Sequence, residues 1–257
     1  MSTLSDLVIA HGKSTPEDIE WMHMLVGDGQ LLADLAFADI VLWVPTENGG
    51  FIAVAHSRPS SAATLFYRDI VGQKIRPEWR TQATEAFETG GIVDSSAPEW
   101  YEETPTRVRA VPVLRRLGSA SAATTEHPIA VLTRHTNLSD SRRPGRQELT
   151  FNDCANDLFS MIATGDFPDL GAPSGPRRGA PRAADGLIRL DVEGVTTFAS
   201  PNALSAFNRI GFTDELEGES LAEVTTRLLI GHAVVTSRCR SSSPGARRGA
   251  PTSTCAA

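Results

Sequence analysis

Apolar side chains recur at helical spacing near the start of the chain. Within residues 16–36 they lie three or four positions apart, as on one face of a helix, at Ile19, Met22, Leu25 and Val26. Thr15 can cap this helix, and Pro16 suits its first turn. The triplet Gly27-Asp28-Gly29 interrupts the pattern before the apolar face resumes. We expect this face to pack in the core or along a dimer seam.

Two apolar runs rich in β-branched residues follow. The runs "ADIVLWVP" and "GFIAVAHS" are joined by "TENGG", whose Asn48-Gly49 pair favours the positive backbone angles of a tight turn. This pattern predicts a β-hairpin. Further strands are predicted at "TLFYRDI", "RVRAVPVLR" and "PIAVLTRH", and further helices, each closed by a glycine, at "PEWRTQATEAFETGG" and "RQELTFNDCANDLFSMIATG".

This order of elements places helices at both ends and antiparallel strands in the middle. It favours an α+β fold over residues 1–165, an antiparallel sheet with flanking helices that cover one of its faces. The opposite face of such a sheet, with the loops over it, can enclose a ligand. The loops expected at that pocket are "AHSRPSSAATLFYRDIVGQ" and "GGIVDSSAPEWYEETPT".

The pattern changes after residue 165. Residues 166–184 are rich in Pro, Gly, Ala and Arg without apolar periodicity and predict a linker. Residues 185–230 predict two short strands, "GLIRLDV" and "VTTFAS", and a helix that Ser200 caps and Gly211 ends. Residues 231–257 lose this pattern. Their Arg, Ser, Pro, Ala and Cys usage is typical of GC-rich DNA read in a wrong frame, so we expect a frameshifted or prematurely ended gene.

Composition narrows the functional classes. The chain has 257 residues, 40% of them hydrophobic, so it can bury a core in one or two domains. A formal net charge of −7 argues against direct nucleic-acid or anionic-membrane binding, because either requires a basic patch. The sequence contains no apolar run of membrane-spanning length and no secretory leader pattern at its start, so we expect a cytoplasmic protein.

Three residues are candidates for ligand binding. His56 and Arg58 stand at the end of a predicted strand, and an arginine fork suits phosphate and carboxylate. They are therefore candidate contacts for an anionic or nucleotide-like ligand, or else solvent-exposed loop residues. Trp43 either forms an aromatic wall of the same pocket or packs in the core. The sequence does not identify the ligand.

Other polar clusters carry no catalytic or metal signature. Asp153 and Asp157 are one helical turn apart with Cys154 between them, which fits a solvated helix face better than a metal site. The cluster of Glu99, Glu102 and Glu103 fits a polar loop. The three cysteines and six histidines match no metal-ligand spacing, and no Gly-x-Ser-x-Gly elbow, Walker A loop or dinucleotide fingerprint occurs. We predict no catalytic residue and no metal.

A recognisable signature lies in the segment that follows the linker. It consists of "DGLIRLDVEG" at residues 185–194, Asn202-Ala203, and "ELEGESL" at residues 215–221. This combination resembles the first half of a PAS domain. As the resemblance implies, a complete PAS fold needs a further helix and three more strands, so residues 185–230 are expected to form an incomplete PAS-like α+β segment.

The wider resemblance is carried by "LLADLAFADIVLWV", "VLTRHTNL" and the PAS-like segment. Over residues 1–230 the chain resembles the N-terminal sensory half of the cytosolic actinobacterial histidine kinases of the PdtaS type. The resemblance implies a GAF domain and a PAS domain ahead of a dimerising phosphoacceptor domain and an ATPase domain that uses ATP and Mg. It also implies phosphate transfer to a response regulator that binds RNA as an antiterminator.

Kinase chemistry does not carry over to any residue. The sequence contains no His-x-Arg-x-Lys-Asn-type phosphoacceptor box, asparagine box or glycine-rich ATP lid. The leading hypothesis is therefore the sensory part of a two-component kinase, truncated before the kinase core, that binds a small molecule and forms a homodimer. The alternative is a free-standing ligand-binding or dominant-negative dimerisation protein without kinase activity.

Overall fold

The computed structural model describes residues 3–118, 123–139, 143–169 and 182–230. The chain divides into two compact units, Met1–Asp185 and Gly186–Ala257. The tail predicted at 231–257 and most of the predicted linker lie outside the described residues. Within the described ranges, no helix is both long and apolar enough to cross a membrane.

Capping side chains begin two of the helices described in the first unit, and glycines end two others. The described helices are α1 (Leu4–His11), α2 (Pro16–Gly27), α3 (Gly29–Ala36), α4 (Pro77–Thr89) and α5 (Arg146–Thr164). The predicted interruption after residue 26 is confirmed, because α2 ends at Gly27 and α3 begins at Gly29. Gly90 and Gly165 end α4 and α5 in the left-handed conformation that the sequence predicts.

The strands of the first unit form one antiparallel sheet. They are β1 (Asp39–Pro45), β2 (Phe51–Ser57), β3 (Val93–Asp94), β4 (Glu99–Tyr101), β5 (Thr104–Val113) and β6 (Ala130–Asn137). The strand order is β2-β1-β6-β5-β3, and β4 pairs with β5. The predicted hairpin is confirmed: β1 pairs with β2, and Gly49 in the turn has a φ of 72°. The α+β class is confirmed with it.

The two faces of the sheet carry different layers. Side chains alternate along β1, so Ile40 and Leu42 face one side and Val41 and Trp43 the other. Ile40 and Leu42 lie against residues of α2 and α3, whereas Val41 and Trp43 join a core cluster with Trp79 of α4. The expectation that helices cover one face is therefore wrong, since α4 covers the second face, and β1 is buried along almost its whole length.

Two arginines attach α5 to the sheet. Arg109 of β5 and Arg134 of β6 are cross-strand partners. Arg109 donates to Asn156 Oδ1 at 2.9 Å and Arg134 donates to Asn152 Oδ1 at 2.6 Å. Arg134 also donates to the carbonyl of Ala36 at the end of α3, at 2.8 Å. Burial lowers the pKa of Arg134 to about 10, so this guanidinium remains charged at neutral pH.

The sequence pattern fails at three places in the first unit. The strand predicted at "TLFYRDI" is wrong: the N–H of Leu65 donates to the buried Asp39 carboxylate at 2.5 Å, and the neighbours Leu65 and Phe66 are both buried in one cluster. Successive residues of a strand would instead face opposite sides of the sheet. The pattern also misses α1, and it assigns β3 and β4 to a loop because they are too short to show a period of two.

Removal of the α2 cap is expected to destabilise the first unit. The Thr15 hydroxyl accepts the N–H of Asp18 at 3.3 Å, and the Asp18 carboxylate accepts the N–H of Thr15 at 2.9 Å, a reciprocal capping box. Thr15→Ala should lower the free energy of unfolding by about 1 kcal/mol in urea titrations. Thr15→Ser keeps the hydroxyl and should stay near the wild-type value. An equal loss in both variants would contradict the capping role.

The second unit has its own small core. It contains β7 (Ile188–Leu190), β8 (Thr196–Ala199), α6 (Pro201–Arg209) and helical residues 221–230. The two strands pair antiparallel, and the Ser200 hydroxyl caps α6 as predicted. Phe212, Leu216 and Val224 pack together with Ala199. This two-stranded sheet is compatible with the PAS-like segment that the sequence predicts.

A candidate ligand pocket on the sheet

A cavity of about 190 Å³ lies on the face of the sheet that carries α4. It is lined by residues of β1, of the loop between β2 and α4, of the start of α4, and of the end of β4 with its turn, and it is open to solvent on one side. Its lining consists of Trp43, Phe66, Arg68, Ile70, Gln73, Lys74, Arg76, Trp79, Tyr101 and Glu102. Both loop segments expected at a pocket therefore contribute to this one.

Aromatic rings form the inner wall of the pocket. Phe66 is fully buried and makes edge-to-face contacts with Trp79 and Tyr101, at centroid distances of 5.5 and 5.0 Å. Trp79 and Tyr101 are stacked at 5.7 Å. The ring of Phe66 also contacts His56 and His135 edge to face, at 5.4 and 5.0 Å. The wall is thus an interlocked cluster.

Basic side chains form the outer part of the lining. The guanidinium of Arg76 lies over the Tyr101 ring at 4.5 Å and the Trp79 ring at 5.5 Å, as in cation–π contacts. Within the described part of the chain, Arg68, Lys74 and Arg76 form no ion pair with an acidic side chain. Three unpaired cations at one cavity are notable in a chain whose formal net charge is −7. This arrangement suits an anionic ligand.

A buried polar chain leads from the pocket wall into the sheet. The Trp43 indole N–H donates to Thr133 Oγ1 at 2.7 Å, and Thr133 Oγ1 lies 2.7 Å from His135 Nε2. Because the indole can only donate, the Thr133 hydroxyl is free to donate onward to a neutral His135. Burial lowers the pKa of His135 to about 3, against the opposing attraction of Asp39. His135 is therefore neutral at physiological pH.

Asp39 organises a second buried group beside this chain. Its Oδ1 accepts from His56 Nε2 at 2.9 Å and from the Thr64 hydroxyl at 2.7 Å, while its Oδ2 accepts the N–H of Leu65. The side chains of Asp39 and His56 are only 1% and 3% exposed. This network fixes the start of the β2–α4 loop, and with it the position of Phe66.

The three predicted ligand residues occupy different positions relative to the pocket. Trp43 lines the cavity and is also fully buried in the core cluster. The His56 side chain is bonded to Asp39 behind the aromatic wall. Arg58 is exposed and donates to the carbonyl of Arg68 at 3.3 Å. Trp43 is the member of this set that contributes to the lining.

Sequence reasoning missed the basic and aromatic residues of the lining. Arg68, Lys74 and Arg76 lie within nine residues, followed closely by Trp79, in "FYRDIVGQKIRPEW". This segment, part of which was expected over the pocket, interleaves arginine and lysine with aromatic residues. That pattern could have identified the lining residues. The wrong strand prediction for residues 64–70 concealed it.

Among the residues of the other polar clusters, Glu102 lines the pocket. Asp153 and Asp157 are exposed on α5. Glu99 Oε1 accepts from Gln82 at 2.9 Å, and burial raises the pKa of the Glu99 carboxyl. In the ranges that the structure describes, no group of three or more His, Cys, Asp and Glu side chains could hold a metal ion.

The first unit is a sensor domain of the GAF class. The profile of the family described as "Histidine kinase PdtaS, GAF domain" matches residues 4–155, more than half of the chain. The chain belongs to this family.

Relatives and a solved structure agree with this assignment. "Sensor histidine kinase PdtaS" of Mycolicibacterium smegmatis is 39% identical over 232 residues, which are 89% of this chain and 44% of that protein. The protein of the same name from Mycobacterium tuberculosis is 39% identical over 234 residues, with the same coverage. A solved "Sensor region of a sensor histidine kinase" has a TM-score of 0.71 and 37% identity, covering 91% of this chain and 80% of that one. The chain thus spans less than half the length of its curated relatives.

Proposed function

We propose that the chain is the sensory portion of a cytoplasmic two-component histidine kinase and binds a small anionic molecule in the pocket on the sheet. The observation that carries this proposal is the group of unpaired cations, Arg68, Lys74 and Arg76, on an aromatic cavity in an acidic protein. An anion would find both guanidinium and ammonium donors there without first breaking an ion pair.

The signal would leave the pocket through the sheet. Trp43 lines the cavity and is linked by Thr133 to β6, the strand that also carries Arg134. Arg134 bonds both α3 and α5. We propose that ligand binding shifts β6 and that Arg134 passes this shift to α3 and α5. These helices would then transmit it across a homodimer. In the whole protein the kinase core would use ATP and Mg and phosphorylate an RNA-binding antiterminator response regulator.

Thermal denaturation with a panel of anionic metabolites tests the binding role. The panel contains mono-, di- and tricarboxylates, sugar phosphates and nucleotides. At about ten times its Kd, a bound member should raise Tm by about 4 °C. Arg76→Gln should abolish that rise, since a hydrogen bond to a charged group contributes roughly 1.5–3 kcal/mol.

Arg107→Gln is the matched control. Arg107 is exposed on β5 and does not line the cavity, so this variant removes the same charge elsewhere on the unit. Its Tm should rise with ligand as in the wild type. The sensory proposal is wrong if no panel member raises Tm, or if the rise survives in Arg76→Gln.

A further inference from the structure

We infer that Glu99 is protonated in the folded protein and forms a cyclic pair of two hydrogen bonds with Gln82. This acid–amide pair joins β4 to α4 beside the aromatic wall of the pocket. The pair opens when Glu99 loses its proton, so the contact between these two elements is sensitive to pH. The inference holds whichever ligand the pocket binds.

The acid–amide pair lies next to an aromatic contact between the same two elements. Gln82 follows Trp79 by three residues on α4, so the two side chains lie on one face of the helix. Glu99 and Tyr101 are two residues apart on β4 and lie on one face of the strand. Trp79 stacks on Tyr101 at 5.7 Å. Beside this stack, Gln82 Nε2 donates to Glu99 Oε1 at 2.9 Å, so two neighbouring contacts hold β4 against α4.

Two buried oxygens of this contact lack a donor. Glu99 Oε2 and Gln82 Oε1 are shielded from solvent, and in the part of the chain that the structure describes neither has a hydrogen-bond partner. They belong to the two planar groups that the first hydrogen bond already joins. An ionised Glu99 leaves both oxygens as unpaired buried acceptors, which is unfavourable. A proton on Glu99 Oε2 donates to Gln82 Oε1 and uses both oxygens in one hydrogen bond.

The groups around the Glu99 carboxyl favour its protonated form. Burial raises the pKa of Glu99, while the donation from Gln82 acts in the opposite direction. The negative charge of Glu78, one helical turn before Gln82 on α4, raises this pKa further. On β5, the residue opposite Glu99 is the uncharged Thr106. Among the described residues, no cation forms an ion pair with Glu99 that would hold it ionised.

Glu99→Gln removes the titration and keeps the pair, because a second amide can form both hydrogen bonds at every pH. The unfolded Glu99 ionises near its ordinary pKa of 4.5, and the folded one ionises at a higher pH. The contribution of the pair to stability is therefore complete below pH 4.5 and is lost as the pH rises through the folded pKa. In urea titrations of the full chain, the ratio of folded to unfolded protein should be similar for variant and wild type at pH 4.5. By pH 8 the variant should exceed the wild type about tenfold, an effect typical of an unpaired buried acceptor.

Glu103→Gln is the matched control for this titration. Glu103 is exposed in the turn after β4, so the variant removes the same charge close to the pair. Its stability relative to wild type should change little between pH 4.5 and pH 8. If Glu99→Gln behaved like this control, the acid–amide pair would be excluded.

Carbon-13 NMR of the full chain observes the pair directly. The side-chain Cδ signals of Glu99 and Gln82 are identified by their absence in Glu99→Gln and Gln82→Leu. The Glu99 signal should titrate with a midpoint above pH 4.5, and the Gln82 signal should shift with the same midpoint, because its carbonyl loses the O–H donor. A Glu99 midpoint at or below pH 4.5 would overturn the inference. A raised midpoint without a shift at Gln82 would also overturn it, since burial alone would then hold the proton. Neither result bears on anion binding, which the metabolite panel tests separately.

Discussion

Replacing Phe66 with alanine is expected to lower the free energy of unfolding by about 3–5 kcal/mol. The ring is 0% exposed and makes edge-to-face contacts with Trp79, Tyr101, His56 and His135. Its removal forfeits the transfer free energy of the side chain and leaves a void between the sheet and α4. The loss is measured by urea denaturation followed by tryptophan fluorescence.

Phe87→Ala is the matched control for this prediction. Phe87 is only partly buried at the periphery of the same cluster, where its ring contacts Phe51 at 5.8 Å. The same change in side-chain size should therefore cost less there. If Phe66→Ala cost no more than Phe87→Ala, Phe66 would not be the centre of the aromatic wall.

The stability of the first unit is expected to fall with pH below about 6.5, and His135 should account for much of the fall. Burial lowers the pKa of His135 from 6.5 to about 3. Between these values the unfolded chain binds a proton that the folded chain does not, so acidification favours unfolding by about 1.4 kcal/mol per pH unit. The contribution of His135 is greatest above pH 6.5 and is lost as the pH approaches 3.

His135→Phe isolates this contribution. The variant keeps a ring against Phe66 and Trp79 but cannot titrate. Between pH 7 and pH 5, the wild type should lose about 2 kcal/mol more of its unfolding free energy than the variant does. Asp39 and His56 lie nearby and are present in both proteins, so the difference between the proteins reports on position 135.

An exposed histidine supplies the comparison. His127 lies on a surface loop between β5 and β6. His127→Phe should keep the wild-type dependence on pH. If the urea midpoints of wild type and His135→Phe changed equally across this pH range, burial of His135 would not oppose its protonation.

Local patterns were sufficient for the elements that depend on neighbouring residues. Asn48-Gly49 predicts the first hairpin, and Thr15, Gly90 and Gly165 predict helix ends, because turns and caps are formed within a few residues. The loop at residues 64–70 depends instead on Asp39, which is 26 residues away from Leu65 in the chain. A pattern of neighbouring residues does not reveal a hydrogen-bond partner at that distance in the sequence.

In the candidate site too, some residues could be predicted from their sequence neighbours and others depend on distant residues. Trp43 could be found because an apolar strand surrounds it, and it both lines the cavity and fills the core. His56 and Arg58 were chosen by residue type at the end of a strand, but side-chain direction there depends on Asp39 and on the path of the following loop. The cations at 68, 74 and 76 meet because that loop folds back over the sheet.

The arginine contacts of α5 also fix the rotational phase of that helix. Asn152 and Asn156 lie on one stripe, one turn apart, and the arginines that bond them are opposite each other on adjacent strands. A rotation by one residue, about 100°, would carry both asparagines away from both arginines together. Small angular drift is therefore resisted by two hydrogen bonds at once. The C-terminal end of α5 therefore keeps a defined rotation about the helix axis relative to the sheet.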